Sequence, residues 1–161
     1  MLSTVTSGEM DVILRHAIED DVPALVGLIA ADQIATNRDG IRGDEDHAAY
    51  VAAFRAIDAD AAHILLVAES AGEVVGTLQL SFLPGLARRG SWRAQVEAVR
   101  VRSDLRGRRL GEAMMSWAID ESRRRGCALL QLTTDKQRVD AHRFYERLGF
   151  VASHDGMKLP L

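Results

Sequence analysis

With 161 residues, 47% of them hydrophobic and 27% charged, the chain is one domain long and has enough apolar surface for a single core. Its net charge of −3 argues against nucleic acid as the main partner, and its single cysteine, Cys127, excludes an intramolecular disulfide and a cysteine-based metal cage. No stretch approaches the roughly 18 apolar residues that span a bilayer, and the opening MLSTVTSGEMD lacks the basic and apolar regions of a secretory leader. A cytoplasmic protein without a membrane partner is expected.

In chain order, residues 1–10 read as a flexible extension of a single domain, 1–161, and DVILRHA, 11–17, as the first strand. EDDVPALVGLIAAD follows as a helix: Asp20 stands where a cap is needed, Pro23 is tolerated in the first turn, and Val22, Leu25, Val26 and Ile29 recur at helical spacing. QIATNRDGIRG is a loop, and 44–57 a second helix with Tyr50, Val51, Phe54 and Ile57 on one face. HILLVAES and VVGTLQLSFL, joined by the turn AGE, form a hairpin.

After the connector PGLARRGSW, RAQVEAVRV at 93–101 alternates as a strand, and a helix runs to Arg125 with Leu110, Met114, Trp117 and Ala118 in one stripe. Gly126 ends it. CALLQLTT is a nearly continuous apolar run, the signature of an internal strand covered on both faces. DAHRFYERLG is the last helix, with Ala141, Phe144, Tyr145 and Leu148 on one face and Gly149 at a left-handed cap, and FVASHDGMKLPL closes with one or two strands. The order predicts an α/β (α+β) architecture, a mixed sheet with helices on its faces.

Charge is distributed unevenly. Residues 1–83 carry 4 arginines against 14 carboxylates, net −10, whereas 84–125 carry 11 arginines against 5 carboxylates, net +6. The centre of the basic part is VRSDLRGRRLGEAMM, 101–115, the joint between a strand and a helix. Free amides converge at a helix N-terminus and the helix dipole favours an anion there, so Arg106, Arg108 and Arg109 mark an anion site. Neither a G-x-x-x-x-G-K-[ST] loop nor a G-x-G-x-x-G turn is present, which removes the signatures of nucleotide hydrolysis and hydride transfer. The five histidines lack ligand spacing, no metal site is expected, and no G-x-S-x-G gives Ser91 the setting of a nucleophile.

RGRRLG and, after the next strand, AHRFYERLGF together resemble the GNAT superfamily of acyl-CoA-dependent N-acetyltransferases. The first matches R/Q-x-x-G-x-G/A, the pyrophosphate loop of coenzyme A, with Arg106 and Gly111 in place and Arg109 standing for the earlier glycine. The second matches A-x-x-F-Y-x-x-x-G-F. The resemblance implies a central mixed, mostly antiparallel twisted sheet of about six to seven strands flanked by about four helices. It also implies acetyl-CoA as co-substrate, held by Val99, Arg100 and Val101 along the strand and by Arg106, Gly107, Arg108, Arg109, Leu110, Gly111 and Glu112 in the loop. Arg138, where the family often has Asn, is a further candidate to reach the coenzyme. Loss of the earlier glycine does not abolish the cradle, since the backbone can still donate if Arg109 adopts ordinary helical angles at the first turn.

An alkyl amine with a pKa of about 10.4 is neutral in only roughly one molecule per thousand near neutral pH, so a base must take its proton. Glu97, on the strand before the loop, is the candidate. By resemblance the Val99 N–H stabilises the oxyanion and Tyr145 protonates the leaving thiolate. The expected function is transfer of an acetyl group to a primary amine of a small molecule or peptide by direct attack in a ternary complex. The alternatives are a catalytically silent acyl-CoA-binding module and, on the basic segment, a nucleic-acid binder that lacks the stacking aromatics such a groove needs. Asp39, Asp44, Glu45 and Asp46 offer charge for a cationic acceptor, Trp92 a wall, and the resemblance allows a homodimer. The Arg-rich, Ala-rich composition suggests a bacterial gene.

Overall fold

The computed structural model describes residues 2–7, 10–31 and 39–160. The chain divides into two compact units, Met1–Gln131 and Leu132–Leu161. The first begins with two strands, β1 (Ser3–Ser7) and β2 (Met10–His16), paired antiparallel from Ser3↔Leu14 to Ser7↔Met10. Ser3–Ser7, within the residues expected as a flexible extension, form an edge strand. The β-branched, alternating STVTS meets the period of two that a half-covered strand needs.

A single 3-10 turn (Glu19–Asp21) leads into α1 (Val22–Ala30), with Pro23 in its first turn as expected. The capping carboxylate is Asp21 and not Asp20: it accepts the Ile18 N–H at 2.8 Å and grips the Arg15 guanidinium through Nη1 at 2.6 Å and Nη2 at 2.9 Å, while Arg15 Nε reaches Glu69 at 2.7 Å. Asp20 is exposed and Asp21 is buried. A segment at 32–38, within the expected loop, lies outside the described residues. In α2 (Asp44–Asp58), Asp44, Glu45 and Asp46 occupy the first turn and Arg55 the last, which complements the helix dipole and accounts for the acidic cluster.

The hairpin is β3 (His63–Ser70) and β4 (Glu73–Leu83); the connector holds a one-turn helix, α3 (Ala87–Gly90), with Arg88 and Arg89 both left-handed. Then come β5 (Arg93–Val101), a 3-10 turn (Ser103–Leu105), α4 (Leu110–Arg124) and β6 (Leu129–Leu132). The six strands lie in the order β1-β2-β3-β4-β5-β6, with β1 to β5 antiparallel in succession. The register sorts the side chains into two faces. Leu14, Leu66, Leu78, Leu80, Phe82, Ala94 and Val96 are buried on one, toward α4, where Met114 Sδ meets the Gly76 backbone and Arg125 lies 4.0 Å over the Phe82 ring. Val67 lies on the other, in a cluster with Ala17, Val22, Leu25, Val26 and Phe54 from α1 and α2.

Two expectations fail at the C-terminal end. β6 is the last strand of the sheet and only half-buried, not an internal strand covered on both faces. The second unit contains α5 (Val139–Arg147), capped by Gly149 at φ +89°, but residues 151–160 form no strand and are exposed. VASHDGMKLP has neither a sustained alternation nor a β-branched run, and Gly156 and Pro160 break what pattern there is. The sheet and flanking helices otherwise match the expected mixed α/β class.

Candidate functional site

The joint between β5 and α4 is built by braces on both sides. Where the chain leaves β5, the Arg102 N–H donates to Val75 O at 2.9 Å, and its guanidinium binds Glu73 at 2.7 Å and Asp104 at 2.8 Å. Leu105 anchors the following turn in the core. Gly107 then takes φ +78°, and Arg109, the residue before α4, takes φ 66° and ψ 8°. This corrects the expectation of helical angles at Arg109: the residue takes a left-handed backbone that glycine adopts freely, at a cost of about 1–2 kcal/mol.

The first intrahelical bond is Ala113 N–H to Arg109 C=O at 3.0 Å, so the amides before Ala113 have no carbonyl of α4 to reach. Arg106, Arg108, Arg109 and Glu112 are exposed, Gly111 half-buried and Leu110 buried. One brace had no signal in the sequence. Ser7, at the end of β1 and 1% exposed, donates its hydroxyl to the Arg108 carbonyl across a separation of 101 residues. That carbonyl is turned toward the protein body, which leaves the outer side of the turn to amides and arginines.

On the strand side of the joint, β5 carries an extra residue. Thr77 pairs with Arg100 and Gln79 with Glu97, so Ala98 and Val99 together oppose Leu78, and Ala98 takes φ +51°. Such a bulge leaves an amide out of the ladder and switches the face of all that follows. Before it, Arg93, Gln95 and Glu97 face the α1 side; after it, Arg100 does, with Val101 turned to the α4 side.

Glu97 is exposed beside Gln79. One register step away, polar side chains cross four strands on the α1 side. His63 Nδ1 lies 2.8 Å from Ser81 Oγ, Ser81 pairs with Gln95, and Gln131 Nε2 donates to Gln95 Oε1 at 2.9 Å. Sequence reading missed this row; its trace was a polar residue in the apolar pattern of each of the four strands. A cavity of about 290 Å³, walled partly by His63, His16, Phe54, Asp60 and Arg125, adjoins its His63 end. Among the described residues no group of three metal-ligating side chains converges.

In the second unit, Tyr145 sits on α5 with its ring edge-on to Phe144 at 5.1 Å and to Phe150 at 5.8 Å. Arg138 is half-buried immediately before α5, where its carbonyl accepts the His142 N–H at 3.1 Å.

Comparison with known proteins gives this geometry its context. An aminoalkylphosphonate N-acetyltransferase of Salmonella typhimurium is 31% identical over 141 residues, covering 88% of this chain and 86% of its own length. A glucosamine 6-phosphate N-acetyltransferase of Trypanosoma brucei brucei is 33% identical over 90 residues, covering 56% and 59%. A crystal structure described as a transcriptional regulator of Bacillus halodurans C-125 is 45% identical, with a TM-score of 0.88 over 93% of this chain and 99% of that one. The model of the acetyltransferase (GNAT) family matches residues 17–150. The chain belongs to that family and is an acyltransferase.

Proposed function

We propose that the protein transfers the acetyl group of acetyl-CoA to a small amine that carries a phosphonate or phosphate, by direct attack in a ternary complex. The observation that carries the proposal is the braced β5–α4 joint: left-handed Gly107 and Arg109 turn the first amides of α4 outward among three exposed arginines, next to a strand bulge. This suits the pyrophosphate of coenzyme A, with Arg106 to Glu112 as its cradle and Val99, Arg100 and Val101 along the pantetheine. Arg138 is assigned to the same coenzyme.

In the reaction, Glu97 accepts the ammonium proton, directly or through a water, and the freed nitrogen attacks the thioester carbon. The neutral amine is scarce by about 4 kcal/mol near neutral pH, a cost that a positioned base offsets. As the C–N bond forms, the carbonyl oxygen takes the negative charge and the Val99 N–H donates to it. The C–S bond then breaks as Tyr145 donates its proton to the sulfur, so that coenzyme A leaves as a thiol, and the second proton of the attacking nitrogen passes to the Tyr145 phenolate, directly or through a water, which leaves a neutral amide and restores the phenol. The acceptor class rests on the two relatives named for phosphonate- and phosphate-bearing amines, together with Arg93 on the face that holds Glu97.

The relative described as a transcriptional regulator favours a second reading, an acyl-CoA-binding module without turnover. Thiol release from acetyl-CoA across a panel of amines separates them. Amine-dependent release that falls in Tyr145→Phe, with acetyl-CoA affinity unchanged, supports transfer; tight acetyl-CoA binding without release from any amine supports the module.

A further inference from the structure

β5 runs beneath the acceptor side of this site as a strand of three polar steps. Its residues two apart share a face, so Glu97, Gln95 and Arg93 follow one another on the α1 side, each pair of Cα atoms separated by roughly 7 Å. The intervening Val96 and Ala94 are buried on the other face. Gln95 is half-buried on this face and its side-chain carbonyl accepts the Gln131 amide on the neighbouring strand.

That bond uses one donor of Gln131 and one lone pair of Gln95. It leaves the amide NH₂ of Gln95 and the carbonyl oxygen of Gln131 with no partner among the described residues. Arg93 goes further. It is exposed, and no ion pair or hydrogen bond engages its guanidinium among the described residues, although Arg15, Arg55, Arg102, Arg124 and Arg125 are all held by carboxylates. Arg93 is fixed in place by strand pairing, opposite Leu83, and therefore differs from a cation on a mobile loop. A guanidinium presents a fork of donors that matches two oxygens of a phosphonate, phosphate or carboxylate.

We infer that the α1 side of β5 measures the acceptor: Glu97 takes the amine end, the Gln95–Gln131 pair holds polar atoms at mid-length, and Arg93 binds a terminal oxyanion. The inference rests on the acceptor side proposed above and adds the residues that select the substrate. An amine fits when its terminal oxyanion comes within reach of the Arg93 guanidinium while its nitrogen lies at Glu97. An amine ending in an apolar group gains nothing from the guanidinium or the glutamine pair and is bound less well.

The test compares matched acceptors, aminoalkylphosphonates, aminoalkyl carboxylates and aminoalcohols of equal chain length, in wild type, Arg93→Gln and Arg93→Lys. In wild type kcat/KM is expected to favour the phosphonate over the alcohol by at least tenfold. Arg93→Gln should abolish that preference through KM for the phosphonate, with Kd for acetyl-CoA within twofold of wild type, and Arg93→Lys should restore part of it. An unchanged phosphonate-to-alcohol ratio in Arg93→Gln overturns the assignment, and equal preference for carboxylate narrows the ligand to any oxyanion while sustaining it. Calorimetric binding of the phosphonates is measured in parallel. Should wild type release no thiol yet bind phosphonate, with the binding lost in Arg93→Gln, the transfer reaction falls and the Arg93 site stands; absence of both turnover and binding overturns both.

Discussion

At the scale of single residues, Arg109 carries a conflict between charge and backbone. Its φ of 66° suits glycine, and a left-handed non-glycine residue costs about 1–2 kcal/mol. Its guanidinium stands at the N-terminus of α4, where it adds to the attraction for an anion. Arg109→Gly removes the strain but raises the entropy of the unfolded chain by about 0.5–1 kcal/mol, for a net gain of about 0.5–1 kcal/mol. The melting temperature should rise by about 1–4 °C. Acetyl-CoA affinity should fall by about two- to fivefold, the worth of one exposed charge at a helix end. Arg109→Ala separates the two effects, since alanine retains the strain and loses the charge: weaker binding with no gain in stability. Tighter binding in Arg109→Gly would mean that the side chain obstructs the loop.

Among the elements, β1 and β4 bear on the site in different ways. The Ser7 hydroxyl is the link between β1 and the loop, and one such bond contributes about 0.5–1.5 kcal/mol net. Ser7→Ala should raise KM for acetyl-CoA by about two- to tenfold with kcat within twofold, whereas Thr6→Ala, exposed on the opposite face, should change neither. In β4 the constraint is packing. A Cβ at Gly76 would lie 2.9 Å from Met114 Sδ and 3.2 Å from the Arg100 carbonyl, and Met114 is fully buried. Gly76→Ala should cost about 1–3 kcal/mol in denaturant unfolding. Met114→Ala should cost less in the Gly76→Ala background than alone, because the methyl fills part of the cavity. Legibility follows the same division. β5 and α4 were readable because alternation ends at Val101 and helical spacing starts at Leu110, and the loop because its residues are adjacent. Ser7 was not, since its partner is 101 residues away and no local pattern encodes it. The in-facing polar residues at 63, 81, 95 and 131 were visible singly as breaks in strand alternation, but only the register brings them into one row.

For the whole molecule, the consequence of its charge is sensitivity to acid. Two partly buried carboxylates of the first unit, Asp21 at the start of α1 and Glu121 near the end of α4, are held below their ordinary range. At Asp21 burial acts to raise the pKa, but the Arg15 guanidinium and the Ile18 amide outweigh it, and the net shift from 3.8 is downward. At Glu121 the Arg124 guanidinium lowers the pKa, against burial and with help from Arg125. A carboxylate with a depressed native pKa binds protons more readily when unfolded, so its stabilisation is complete above the ordinary value and disappears as pH falls through the native one. Unfolding free energy should therefore be nearly flat from about pH 8 to 6 with respect to these groups and decline below about pH 4.5. Asp21 joins β2, β3 and the start of α1 through Arg15, and Asp21→Asn leaves that half-buried guanidinium with Glu69 as its one carboxylate among the described residues, beside the His16 carbonyl. The variant should lose about 2–3 kcal/mol near neutral pH. Protonation of Asp21 in wild type removes the same ion pair, so the gap between the two proteins should narrow on acidification below the ordinary carboxylate range. Urea unfolding of both proteins across that range measures the gap directly. Parallel curves with a constant offset would assign the cost of the substitution to hydrogen bonding and packing and remove Asp21 from the acid response.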